Sequence, residues 1–185
     1  MVLTQSFVKL NRGDKAPDFS LEGTDGKTHS LGDFSAKEGL LVIFMCNHCP
    51  YVKAKADAMV KLNEKWGDKI GFVGINSNDP NYEGEGMENM KAFAKERNIR
   101  FPYVLDETQE VAKAYGAACT PDPFLFGKEQ KLVFHGRIDD AFNPGDMPKE
   151  HTMDESIEKM LRGEEVREET KPSMGCSIKW FEQKT

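Results

Sequence analysis

The chain has 185 residues, enough for one domain that buries roughly 70% of the surface its unfolded form exposes, so no metal or disulfide staple is needed for folding. Its 31 acidic and 25 basic residues leave a net charge of -6, which disfavours nucleic acid and anionic membrane surfaces as partners. With 38% hydrophobic and 30% charged residues, it has a polar surface and enough apolar bulk to avoid disorder.

No basic patch followed by an apolar run opens the chain, and no stretch is apolar enough to span a bilayer, so a cytoplasmic protein is expected. In a reducing compartment, four cysteines point to redox or metal chemistry more than to a structural framework.

Around Asp25-Gly26, residues 18–34 alternate polar and apolar groups, which predicts an N-terminal hairpin. Leu40 to Met45 is a continuous apolar run, as a central strand covered on both faces requires. After Pro50, Val52, Ala56, Met59 and Val60 share one helical face, and Gly67 ends the helix. Ile70 to Ile75 predicts a second buried strand. An acidic loop with Asp79, Glu83, Glu85 and Glu88 follows and reads as solvated, ahead of a helix from about Met87 to Arg97.

Phe101 to Leu105 predicts a short strand. Asp106 and Gln109 can cap the next helix, and Gly116 can end it. Strands at Phe124 to Phe126 and Leu132 to His135 and a helix at Asp154 to Leu161 complete the order. That order implies a central mixed sheet with helices on both faces, in one domain spanning 1–185. Residues 164–185 form a tail, with a charged and exposed first part and KPSMGCSIKWF at its end.

Cys46-Asn47-His48-Cys49-Pro50 sits where the buried strand gives way to the helix. Unpaired N–H groups and the positive end of the helix favour thiolate there, which makes Cys46 the expected nucleophile. Two intervening residues bring Cys49 within disulfide reach, so Cys49 can resolve a mixed disulfide. His48 adds a potential positive charge beside both. A zinc site is not expected, because no second ligand pair accompanies the motif.

The chain resembles the thioredoxin superfamily, and within it the peroxiredoxin-like, thiol-specific-antioxidant (AhpC/TSA) branch. The resemblance is carried by GDKAPDFSLEGTDGK, CNHCPYVKA, INSNDP, FPYVLDETQEVAKAYGA, CTPDPFLF, GRID and SMGCSIKW. It implies a thioredoxin-like fold with an N-terminal hairpin extension, and a cis proline at Pro121 beside the active cysteines. The backbone of Thr120 would then pair with an extended substrate segment. It also offers Arg137 as a holder of an anionic or peroxide substrate, against the commoner reading of a salt bridge with Asp139.

Cys119 stands as either an auxiliary thiol or a small buried hydrophobe. Cys176, in a tail that looks built to dock, stands as either a resolving thiol or a packing residue. His135 reads as a hydrogen-bonded structural residue.

The pattern also departs from its relatives. The threonine that peroxiredoxins place three residues before their peroxidatic cysteine is replaced here by Cys46, which aligns that cysteine with Cys49. Thioredoxins carry a tryptophan before the motif and Gly-Pro inside it, whereas this chain has Met45 and Asn47-His48. The expected activity is therefore thiol-disulfide exchange, with no cofactor. Its partners would be protein or small-molecule disulfides and a cellular thiol reductant. Thiol-dependent peroxidase activity on peroxides is the alternative. A copper-binding module using Cys46, Cys49 and a histidine is a third reading.

Overall fold

In the computed structural model, which describes residues 3–143, 145–166 and 171–181, the run Leu40–Phe44 forms a fully buried strand. Its alternate side chains enter two apolar clusters, Leu41 and Ile43 on one face and Leu40, Val42 and Phe44 on the other. This two-sided burial is why the strand reads as an unbroken apolar run.

In chain order the strands are β1 (Leu3–Gln5), β2 (Ser20–Gly23), β3 (Thr28–Ser30), β4 (Leu40–Phe44), β5 (Gly71–Asn76), β6 (Tyr103–Leu105), β7 (Cys119–Thr120), β8 (Asp122–Phe126), β9 (Leu132–His135) and β10 (Met174–Ser177). The helices are α1 (Pro50–Trp66), α2 (Met87–Glu96), α3 (Glu110–Tyr115) and α4 (Thr152–Leu161). A seven-stranded mixed sheet has the order β3-β2-β6-β5-β4-β8-β9, with β4, β5 and β6 parallel and the other neighbours antiparallel. The expected hairpin is β2–β3, and through the pairing of β2 with β6 it extends the main sheet at its edge.

Val52, Ala56, Met59 and Leu62 of α1, Met90 and Phe93 of α2, and Met153 and Ile157 of α4 join the first cluster. Ala112 and Tyr115 of α3 join the second. On α1 the inward face takes Leu62 where Val60 was expected, because Leu62 falls three residues after Met59 and continues the stripe along the first cluster. Tyr115 meets Phe44, Phe124 and Phe126 edge-on, with centroids 5.3 to 5.9 Å apart.

A second, three-stranded sheet of order β1-β10-β7 has no counterpart in the sequence reading. It sets the C-terminal segment against β7 at the end of the buried strands. The charged run of the tail lies partly outside the described residues, at 167–170. Among the described residues, no helix is long and apolar enough to cross a membrane.

Candidate active site

β4 ends at Phe44 and α1 begins at Pro50, so Cys46 and Cys49 stand in the turn between them. Proline suits that first helical position because its missing N–H would have no partner inside the helix. Both cysteines are completely buried, and all four cysteines of the chain are thiols.

Cys46 Sγ lies 3.2 Å from Thr120 Oγ1, and Cys49 Sγ lies 3.3 Å from the Thr120 carbonyl oxygen. The neighbouring Cys46 side chain lowers the Cys49 thiol to about 5 although burial opposes it. The Cys176 thiol and the backbone amides of Val52 and Cys176 also bond this sulfur and favour its thiolate. Burial, the Cys49 partner and the nearby Glu85 carboxylate push Cys46 well up instead. The lowered pKa, expected at Cys46, thus falls on Cys49, the residue directly before the helix.

The Asn47-His48 pair between them is gripped by Glu85. Its carboxylate accepts from the backbone amides of Asn47 and His48, each at 3.3 Å, from Asn47 Nδ2 at 3.2 Å and from Asn76 Nδ2 at 2.6 Å. It is also paired with His48 Nδ1. Burial would raise the Glu85 pKa, but the bonds from His48 and Asn76 outweigh it and hold the group below its ordinary value. Tyr103 donates to Asn47 Oδ1 at 2.9 Å, and Tyr82 packs on His48 with ring centroids 5.0 Å apart.

The expected solvated acidic loop is therefore corrected at Glu85, which is buried because the loop folds back over the cysteine turn. Its turn chemistry left a signal. Glu85 stands between Gly84 and Gly86, both at positive φ, and a Cβ on Gly86 would lie 2.9 Å from the Pro80 carbonyl.

The peptide bond between Thr120 and Pro121 is cis. The backbone of Thr120, expected to await a substrate segment, is taken by the chain's own β10, with Cys176 opposite Thr120 and Ser177 opposite Cys119. Cys176 Sγ sits 2.8 Å from Cys49 Sγ. Cys119 reaches only the Pro121 carbonyl, at 3.9 Å, and burial pushes its thiol up.

Arg137 does not pair with Asp139. Its guanidinium donates to Thr152 Oγ1 at 3.2 Å and to Glu150 at 2.7 Å, while Asp139 pairs with Lys55. Arg137 lines a cleft of about 100 Å³ beside Pro121, together with Tyr51, Lys55, Phe142 and Met174. His135 donates to or accepts from Asp122 at 2.7 Å and stacks on Phe124, as a structural histidine does.

Among the described residues, one set of possible metal donors comes together, Cys46, His48 and Glu85 within 4.8 Å of one another. The Glu85 oxygens there already accept from four backbone and amide donors besides the imidazole, so the carboxylate serves as an anchor for the turn.

Residues 12–135 match the model of the AhpC/TSA family. The chain belongs to that family. Relatives within reach of this AhpC/TSA member include the thiol-disulfide oxidoreductase ResA of Geobacillus thermodenitrificans, 30% identical over 65% of this chain and 66% of that protein. A chloroplastic peroxiredoxin Q of Populus jackii is 29% identical over 82% of this chain and 68% of that protein. The chain thus spans about two thirds of the length of these relatives. A solved structure titled an uncharacterized conserved protein, from Geobacillus kaustophilus, is 40% identical with a TM-score of 0.92 and 98% of each chain covered. The fold is thioredoxin-like, a mixed sheet flanked by helices.

Proposed function

We propose that this AhpC/TSA protein is a thiol-disulfide exchange enzyme whose reacting centre is the dithiol of Cys46 and Cys49. The observation that carries the reading is the sulfur pair itself: two buried thiols at a helix start, held against the hydroxyl and the carbonyl of Thr120, with Cys49 lowered to about 5 by its Cys46 neighbour. A group with that pKa is almost wholly thiolate at neutral pH, the form that attacks a disulfide.

In the forward sense, the Cys49 thiolate attacks one sulfur of a substrate disulfide, and the other substrate sulfur leaves as thiolate. Cys46 then attacks Cys49 Sγ, losing its proton to the departing substrate sulfur. The enzyme is left with a Cys46–Cys49 disulfide and the substrate as two thiols, so two electrons have moved from enzyme to substrate. A cellular thiol reductant restores the dithiol. This order reverses the one expected from sequence, in which Cys46 attacks and Cys49 resolves, because the stabilised charge lies on Cys49. The cleft lined by Tyr51, Pro121 and Met174 offers the substrate a place near the start of α1.

The experiment is turnover of a disulfide peptide by the full chain and by Cys46→Ser and Cys49→Ser variants. Cys49→Ser is expected to lose turnover, and Cys46→Ser, combined with Cys176→Ser so that no other thiol reaches Cys49, is expected to lose turnover and trap the mixed disulfide on Cys49. Turnover that survives in Cys49→Ser excludes the reading.

A second reading, thiol-dependent peroxidase activity, is favoured by the low Cys49 pKa at the position that aligns with the peroxidatic cysteine. It lacks the threonine of that pattern, and the Arg137 guanidinium is committed to Thr152 and Glu150. Hydrogen peroxide consumption that is unaffected by Cys49→Ser would sink it.

A further inference from the structure

The C-terminal segment is fitted to the dithiol with more detail than packing requires. β10 lies antiparallel on β7 with Cys176 opposite Thr120, the residue whose hydroxyl and carbonyl already touch Cys46 and Cys49. Gly175 makes the approach possible, since a Cβ there would stand 2.0 Å from the Thr120 oxygen. β1 closes the outer side of the strand, with Leu3 opposite Cys176.

Beyond the strand the segment is tied down again. The Lys179 amide donates to Asn78 Oδ1 at 2.8 Å, and the Lys179 carbonyl accepts from Asp79 N and Gln109 Nε2. The outcome is a sulfur 2.8 Å from Cys49 Sγ. Cys119, one residue before Thr120 on the neighbouring strand, shows the contrast, because its sulfur meets a carbonyl and not a thiol.

We propose that Cys176 is a third redox thiol, which takes over the Cys46–Cys49 disulfide by attack on Cys49 Sγ and leaves a Cys49–Cys176 disulfide. This rests on the dithiol reading given above. In the step one sulfur–sulfur bond forms and one breaks. Cys46 departs as thiolate and takes the proton that Cys176 gives up, so no outside oxidant or reductant is needed. In the reduced protein, burial and the charge on Cys49 push the Cys176 thiol up to about 12, which keeps it quiet. Once Cys49 is in a disulfide, its opposing charge is gone while burial remains, so oxidation makes Cys176 easier to deprotonate. Cys46 returns as a thiol, and β10 becomes covalently joined to the start of α1.

The test uses the full chain equilibrated with reduced and oxidised glutathione, quenched in acid, alkylated, digested and mapped for linked peptides by mass spectrometry. The wild type is expected to hold both Cys46–Cys49 and Cys49–Cys176 pairs. Cys176→Ser is expected to hold only the first pair, and Cys46→Ser only the second. Gly175→Val, which keeps every thiol but pushes β10 off Thr120, is expected to lose Cys49–Cys176 and keep Cys46–Cys49.

The proposal is overturned if the wild type holds Cys46–Cys49 alone while Cys46→Ser ends with glutathione on Cys49 and an alkylated Cys176. Persistence of the Cys49–Cys176 pair in Gly175→Val overturns the role given to the strand. Absence of the Cys46–Cys49 pair from both wild type and Cys176→Ser removes the underlying dithiol reading, and the transfer with it.

Discussion

His48 and Glu85 are hydrogen-bonded through Nδ1 and Oε1, so a carboxylate from a loop thirty-odd residues downstream holds the residue between the two reacting cysteines. The same carboxylate takes the backbone amides of the turn, and so it fixes the positions of both sulfurs as well as the imidazole.

Replacing Glu85 with alanine strips partners from several buried donors at once, at about 1–3 kcal/mol for each group left unsatisfied. A loss of roughly 2–4 kcal/mol in urea unfolding is expected, with a much smaller loss for Glu85→Gln, which keeps an acceptor oxygen. Equal stability of the alanine variant and the wild type would show that the carboxylate is not an anchor.

The Cys49 thiolate should be visible by ultraviolet titration of the reduced protein, with a midpoint of about 5. The leading cause is the Cys46 thiol, so Cys46→Ala is expected to move the midpoint up toward the ordinary cysteine value of roughly 8.5. A midpoint that ignores this substitution would assign the effect to the helix start instead.

Stability of the reduced protein should follow the same groups. A depressed pKa on Cys49 means that the unfolded chain binds a proton that the folded one has lost between about pH 5 and 8.5, so stability rises with pH across that window. The slope is no more than about 1.4 kcal/mol per pH unit. Cys46 and Cys176 act in the opposite sense: their raised values keep protons on the folded chain that the unfolded one gives up, so stability falls again above about pH 8.5. Urea midpoints measured against pH should show this rise and fall, and Cys49→Ser should remove the rise.

Asp122 is wholly buried beside Pro121 and relies on His135 for its partner, with a weaker bond from the Ala118 amide. His135→Ala is expected to cost about 3–5 kcal/mol, because it leaves a buried carboxylate without its ring partner. Thermal unfolding reads this directly. The double change Asp122→Asn with His135→Ala should recover part of the loss, and failure to do so would place the cost in the lost Phe124 stacking.

Much of the fold was legible because its signals are local. The apolar run Leu40 to Phe44, Pro50 at the helix start, and Gly116 in the left-handed region ending α3 each mark an element through the residues themselves. The cysteine turn was legible for the same reason. The three-stranded sheet was not, since β7 is two residues long and β10 contains Gly175, so neither shows the alternation of a strand; pairing across the chain makes them. Glu85 was missed because acidic loops are usually solvated, and only its burial under the turn gives it partners. Arg137 kept its charge pairing but found Glu150 instead of Asp139, which is taken by Lys55.

The contact of Gly175 with Thr120 also sets a rule for any outsider. A foreign peptide that displaced the chain's own end and lay along β7 in the same register would press its backbone on the same oxygen, where a Cβ has 2.0 Å of room. Such a ligand needs glycine immediately before the residue it presents to Cys49. The groove thereby selects its visitors by the absence of a side chain, a filter on shape that operates before any sulfur chemistry begins.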